Sequence, residues 1–327
     1  MRPWLAWLAA FSGVWLAIVV FGGHAGTLAR HWGIALAMLA GSYVAGSTPM
    51  GGGTVGFPVL VLLGGAPATL GRDFSFAIQS IGMTSASIFI ACRRQPLEIE
   101  MLRAALLGAA IGTPLGIFFV APLVSQVAIK ALFAVIWGSF GLLHLAKLGE
   151  FASYQGVTPG SRRFDRTSGL AVGLLGGATA AAITGVGIDM LLYVVLVLLC
   201  HADLKIAIPT SVILMAFTSL VGSATKLAFT GFEPGVFEHW LAAAPVVALG
   251  APLGALVVAK IGRKPTLLVV SILCVGQLVW TLVRERAALG AFGLLAALLA
   301  VGVFLLGFAA LYRAGRWMAR RYPAPAR

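Results

Sequence analysis

Apolar segments fill this chain almost end to end, and a single long polar stretch, Gly149 to Ser168, interrupts them near the middle. Of 327 residues 60% are hydrophobic and only 10% charged, with a mean hydropathy of +1.00, a balance that no soluble domain of this length shows. The chain reads as an all-α polytopic membrane protein, with no room for a separate soluble domain.

A span needs about 20 apolar residues. Segments 4–22, 74–91, 100–121, 127–147, 207–230, 240–260, 265–284 and 287–312 meet that length, which predicts eight spans. The first is long for a signal-peptide core and reads as a retained span, with cleavage after Gly23 or Ala25 as the alternative. Cys92, Cys200 and Cys274 lie far apart, without metal-ligand spacing or a disulfide framework, and read as small core residues.

Two apolar stretches are broken by glycine, Gly46-Ser47-Thr48-Pro49-Met50-Gly51-Gly52-Gly53 and Ala180-Ala181-Ala182-Ile183-Thr184-Gly185-Val186-Gly187. Backbone that leaves the helix inside a membrane must be buried in protein or line a polar cavity, so each break marks a binding site. The flanks His31–Gly46, Thr54–Gly65, Ser168–Ile183 and Ile188–Cys200 are each short for a crossing. They predict two re-entrant hairpins, at 31–65 and 168–200.

The distribution of basic residues favours hairpins over single broken spans. With hairpins, Arg2, Arg93, Arg94, Arg103, Lys147, Arg162, Arg163, Arg166, Lys205, Lys260, Arg263, Lys264 and the tail residues Arg313, Arg316, Arg320, Arg321 and Arg327 all fall on the cytoplasmic side. Only Arg30, Arg72, Arg284 and Arg286 lie in outer loops, with Lys130 and Lys226 near the outer ends of spans. The formal charge of +13 therefore reads as topology facing anionic lipid, not as a nucleic-acid surface.

The halves also match each other. At a shift of 134 residues, Gly51 meets Gly185, Gly53 meets Gly187, Ala68 meets Ala202, Leu70 meets Leu204, Thr84 meets Thr218 and Ser85 meets Ser219, without a gap. Four residues further, Gly112-Thr113-Pro114-Leu115-Gly116 meets Gly250-Ala251-Pro252-Leu253-Gly254, and Gly138 meets Gly276. A hairpin plus three spans is an odd number of crossings, so the repeats are inverted, as in many secondary transporters. The expected divisions are an N-terminal span (1–30), a first repeat (31–148), a cytoplasmic connection (149–167), a second repeat (168–285) and a C-terminal span with basic tail (286–327).

A fresh helix start at a hairpin tip presents unpaired N–H groups and partial positive charge, which suits an oxyanion. Gly51, Gly52, Gly53, Gly185 and Gly187 would let backbone near Val186 approach a ligand, with Thr48, Thr54 and Thr184 adding hydroxyls; close helix packing is the alternative use of the glycines. Thr84, Ser85, Thr218 and Ser219 sit at hairpin depth, either for a ligand or for their own preceding-turn carbonyls, and Gln79 is a weaker candidate. Asp189 is the only acidic residue well inside an apolar stretch, where ionisation costs at least about 2.5 kcal/mol. It serves either proton or cation coupling, or capping of its own hairpin. Asp73 reads as an N-cap, Arg72 as an attractor of anions at the outer mouth, and Lys226 as a snorkelling lysine or a vestibule cation.

The order of these features resembles the sulfite exporter TauE/SafE family over roughly residues 31–285. The resemblance rests on Met50-Gly51-Gly52-Gly53 with Pro58, Met83-Thr84-Ser85, Thr184-Gly185-Val186-Gly187, Pro209-Thr210-Ser211 and Phe217-Thr218-Ser219. The second break departs from the three glycines of the family pattern, and Asp189 follows it. The resemblance implies a permease for sulfite, thiosulfate, sulfonates or related anions in a prokaryotic plasma membrane. It needs no cofactor or metal; its partners are a small anion, membrane lipid and a coupling proton or cation, and a homodimer is a permitted assembly. A passive anion channel would use the same dipoles and hydroxyls. An intramembrane hydrolase would need a nucleophile–base pair or two mid-membrane aspartates, and neither occurs, since His24, His31, His144, His201 and His239 lie in loops or near span ends.

Overall fold

A computed structural model describes residues 1–157, 161–261 and 263–321, without the side chains of 258–261, 263 and 321. Lys260, Arg263, Arg321 and Arg327, read above as cytoplasmic charges, thus lie outside the described side chains. The described chain is a succession of helices: α1 (Arg2–Phe21), α2 (Ala25–Arg30), α3 (Trp32–Ser47), α4 (Gly53–Leu63), α5 (Ala68–Cys92), α6 (Ile99–Leu123) and α7 (Gln126–Phe151) make the first part. After the polar connection come α8 (Arg162–Thr184), α9 (Ile188–Leu199), α10 (Leu204–Thr230), α11 (Val236–Ile261), α12 (Arg263–Arg284) and α13 (Arg286–Arg321).

Nine of these helices are long and apolar enough to cross a membrane, not eight. The additional one is α8. The limb expected at Ser168–Ile183 is wound continuously with the polar turn before it, because Ser161 caps Phe164 N at 3.1 Å and starts the helix six residues earlier. α3, α4 and α9 are the shorter apolar helices.

Helix starts are satisfied locally or by neighbours. Ser125 and Asp203 cap α7 and α10, whereas α5, preceded by Pro67, has its first N–H groups, Ala68 and Thr69, donating to Gln126 Oε1 at 2.6 and 3.2 Å. Asp73 is therefore no N-cap. It lies in the second turn of α5, buried, and its carboxylate is committed to basic side chains.

Packing between the halves is reciprocal. α6 lies along α8, and α11 lies along α3, so each half's first limb rests on a helix of the other. Small residues allow this closeness: a Cβ on Gly108, Gly112 or Gly116 would run into the backbone of Leu170, Leu174 or Ala178, and one on Gly46 into the carbonyl of Ala251. α5 packs against α10, and α7 against α12. α1 rests on α5 and α11, tied by Trp4 Nε1 to Ser85 Oγ at 3.0 Å and by Trp15 Nε1 to the Leu241 carbonyl at 2.8 Å. α13 rests on α7 and the end of α9.

The register between halves differs from the ungapped shift of 134. The identical runs Val59–Leu63 and Val195–Leu199 are both π turns, each followed by a left-handed residue, Gly65 or His201, and by matching bonds from Ala66 N to Leu60 O and from Ala202 N to Leu196 O, both 3.0 Å. That correspondence is a shift of 136, and at this shift Ala68 and Leu204 both open their helices. Thr84 and Ser85 then oppose Leu220 and Val221, so the two hydroxyl pairs are not mates.

Candidate functional site

The two glycine breaks meet. α3 ends at Ser47, Thr48 is extended, and α4 starts at Gly53; α8 ends at Thr184 and α9 starts at Ile188, with Gly185 and Gly187 between them in the left-handed region at φ +78° and +99°. A Cβ on Gly53 would collide with Val186 and Ser75, and one on Gly185 with the Arg72 carbonyl, so the breaks touch each other and the first half of α5. Trp137 of α7 closes one side, its ring against Gly187 and its Nε1 donating to Thr54 Oγ1 at 2.9 Å. It stacks on Phe133, which stacks on Phe57, at 4.4 and 4.2 Å.

Gln79 joins the breaks. Its Nε2 donates to the Gly185 carbonyl and to Ser75 O, each at 3.1 Å, while its Oε1 lies where a Gly51 side chain would be and accepts no hydrogen bond among the described residues. Gln79, a weaker candidate from sequence, thus touches both breaks. Asp189, fully buried, accepts from Met190 N at 3.0 Å through Oδ1, and the N–H groups of Gly187 and, across the junction, Gly51 also act on the carboxyl. Its Oδ2 has no hydrogen-bond partner among the described residues.

The hydroxyls divide into engaged and unengaged. Thr48 donates to Val44 O at 2.7 Å, Thr184 to Ala180 O at 2.7 Å, and Thr218 to Leu214 O at 2.8 Å, so these three cap or back-bond their own helices. Ser85 binds the Ala248 carbonyl at 2.6 Å and receives Trp4, fastening three helices. Thr84 Oγ1 and Ser219 Oγ are buried without a described partner. Thr84 lies further along α5 than the junction, whose level on that helix is Arg72, Ser75 and Gln79, whereas on α10 Lys226 meets Asp73 and Gly222 abuts Phe76, which brings Ser219 to about the level of Gln79.

Beside Gly52 and Gln79, bounded by Met38, Ser42, Met83 and Val247, is a pocket of about 10 Å³, at the lower limit for one water. A much larger cavity, about 610 Å³, lies at the end of the bundle where α5 begins, lined among others by Arg72, Asp73, Lys226, Ser125 and Glu233. Here Asp73 Oδ1 accepts from Arg72 Nε at 2.8 Å, and Oδ2 from Lys226 Nζ at 2.9 Å and from Glu233 N at 3.0 Å. Lys226 is buried and does not snorkel. The sequence reading places Arg72 at the outer mouth and leaves Lys226 open as a vestibule cation, but it does not join them through Asp73, since Asp73 and Lys226 are 153 positions apart. It missed the buried His144 as well, whose Nε2 lies 2.9 Å from the Tyr193 hydroxyl and whose Nδ1 lies 3.0 Å from the Phe140 carbonyl.

Among the described residues no group of three or more His, Cys, Asp and Glu side chains could hold a metal ion. Comparison with curated proteins and with solved structures returns no match. The family model of the sulfite exporter TauE/SafE does match, over residues 32–281, a stretch that starts with α3 and runs into α12 and so holds both breaks, Gln79 and Asp189. The chain belongs to the sulfite exporter TauE/SafE family.

Proposed function

We propose that this membrane protein is a secondary transporter of small sulfur-containing anions such as sulfite, thiosulfate or sulfonates, working by alternating access at the junction of the two breaks. The observation that carries the reading is the junction itself: two interrupted helices from different halves abut, with Gly51, Gln79, Gly185 and Asp189 buried together. Interrupted helices facing each other across a repeat interface are how many transporters build a site inside the bilayer.

Within this reading α3–α4 and α8–α9 are re-entrant hairpins from opposite faces, in inverted repeats, with both termini cytoplasmic. The ion pairs and ring contacts support this arrangement. His31 lies 4.6 Å from His239, itself 6.4 Å from Phe74 near the start of α5, into which α4 leads. At the other end Arg166 meets Glu100 at 3.2 Å, and Asp203 N binds the Gly156 carbonyl at 2.7 Å, so α8 begins and α9 ends near the start of α6 and the polar connection. Cysteines placed at Pro67 and Ser153 should label only from outside and only from the cytoplasm, respectively; the reverse pattern rejects the topology.

The site is narrower than the residue types suggest. The anion contacts N–H groups near Gly52, Gly53, Val186 and Gly187 with the free hydroxyls of Thr84 and Ser219, while Thr48, Thr54, Thr184, Ser85 and Thr218 hold the scaffold. An anion about 4 Å from an ionised Asp189 would be opposed by about 4 kcal/mol at an effective dielectric of 20. Protonation of Asp189 removes that term, so a proton travels with the anion. The decisive experiment is uptake by proteoliposomes of sulfite, thiosulfate, sulfate and small sulfonates, with and without an imposed proton gradient. Absence of flux for every anion sinks the reading, and flux indifferent to the gradient removes the coupling role.

A further inference from the structure

The cavity at the start of α5 holds cationic groups that the fold does not fully use. Arg72 and Lys226 side chains are only 11% and 6% exposed, and both are held by one carboxylate, Asp73, itself 1% exposed, with Lys226 Nζ also donating to the Gly231 carbonyl at 3.2 Å. The half-buried Glu233 also lines the cavity, so its four charged groups balance formally, but Glu233 makes no ion pair with either cation among the described residues. Asp73 takes three donors, Arg72 Nε on Oδ1 and Lys226 Nζ with the Glu233 N–H on Oδ2. The guanidinium has capacity to spare: only Nε donates, and both Nη groups find no acceptor among the described residues. Thr69 Oγ1, which accepts from Gln126 at 3.1 Å, and Ser125 Oγ, which accepts from Ala128 N at 3.3 Å, keep their own hydrogens for a ligand.

From this we propose that the cavity is a binding site for one small oxyanion, gripped by the Arg72 Nη groups and Lys226 Nζ with Thr69 and Ser125 completing the shell. A planar fork of N–H donors matches an oxyanion edge in two parallel bonds. The ligand and Asp73 compete for the same two cations. Because the Arg72 carbonyl abuts Gly185, the floor of the cavity is the wall of the second break, and an anion bound here waits one backbone away from the junction. The role as a waiting site rests on the transport reading; the binding itself does not.

The test uses the full chain, purified in detergent free of phospholipid, and calorimetric titration with sulfite, sulfate and inorganic phosphate. Wild type should bind at least one of them, Arg72→Gln should bind roughly tenfold or more weakly, and Asp73→Asn should bind several-fold more tightly because its competitor is gone. Tightening is the informative sign, since loss of a merely structural carboxylate cannot produce it. Unchanged affinity in Arg72→Gln, or weaker binding in folded Asp73→Asn, overturns the site. If either variant fails to fold, Thr69→Val and Ser125→Gly, which spare the ion cluster, should each weaken binding about two- to fivefold, and equal affinity in both rejects the proposal.

Should free anions give no heat, thermal stabilisation by phosphatidylglycerol that is lost in Arg72→Gln identifies a lipid phosphate as the oxyanion, and no response to either source overturns the site. Proteoliposome flux is measured alongside. Flux with no Arg72-dependent binding removes the vestibule site alone; binding with no flux removes the transport reading and leaves the site.

Discussion

The two glycine breaks look like copies and are built differently. The first spans five residues, 48–52, between α3 and α4, and none of its glycines has a positive φ. The second spans three, 185–187, and turns by placing both glycines in the left-handed region. Glycine serves approach in the first, where Gly51 makes room for the Gln79 amide, and conformation in the second. Charge divides the same way: the second break carries Asp189, and the first has no acidic residue from Trp32 to Leu63. One break is a closely packed wall, the other a left-handed glycine turn followed by a carboxyl.

The sharpest way to break this contrast is to add a methyl group to each. Gly185→Ala takes on left-handed strain of about 1–2 kcal/mol and overlap with the Arg72 carbonyl of about 1–3 more, so it should lower stability by about 2–5 kcal/mol. Gly51→Ala meets only the end of a side chain and should cost less than half as much. Unfolding midpoints of the two variants decide it, and the reverse order would refute the division between approach and conformation.

Next in size is the carboxyl. Asp189→Asn should abolish the proton dependence of uptake while anion binding persists, whereas Thr54→Val just after the first break, which strands the Trp137 N–H, should cost about 1–3 kcal/mol of stability and leave proton dependence intact. Flux against imposed pH gradients separates them; preserved coupling in Asp189→Asn would reduce that residue to a cap.

Cutting the link between the breaks comes third. Gln79→Leu leaves the Gly185 carbonyl without its described side-chain donor, and should destabilise by about 1–3 kcal/mol and slow transport more than it weakens binding. Equal rates in variant and wild type would mean that the breaks move independently.

The smallest contrast lies between hydroxyls. Thr84→Val should weaken anion binding roughly tenfold, while Thr218→Val, whose hydroxyl already bonds Leu214 O, should change it less than about twofold. Similar losses in both would restore the symmetric site that the sequence suggests.

Span positions are legible because length and apolarity in a bilayer leave little choice; the eight expected segments lie inside eight of the nine apolar helices, apart from Gly22 at the end of the first. The ninth was not, since the start of α8 is amphipathic and charged, Arg162 to Thr167, and hydropathy alone stops at its polar turn. Register was misread for a related reason. Matching glycines across breaks of unequal length forces a shift of 134, yet the π turns after them sit 136 apart, so the pairing of Thr84 with Thr218 was compositional. The glycines, Asp189 and both breaks were visible as interruptions. What side chains do across helices was not: Gln79 reaching Gly185, Ser85 reaching Ala248 and Asp73 reaching Lys226 join positions 106, 163 and 153 apart.

The exchanged packing of α3 on α11 and α6 on α8 has a consequence for how the protein is made. When α3 emerges from the ribosome, the carbonyl of Ala251 against which Gly46 will rest is still roughly 200 codons from being translated. At about 5–20 residues per second that is a wait on the order of 10–40 s. For that time a short apolar helix ending at Ser47, with the non-helical Thr-Pro-Met-Gly-Gly after it, stays in the insertion machinery or at the lipid boundary without its partner. Nascent chains halted before α11 should therefore be easy prey for membrane proteases at the first break, and protection should arrive late and all at once.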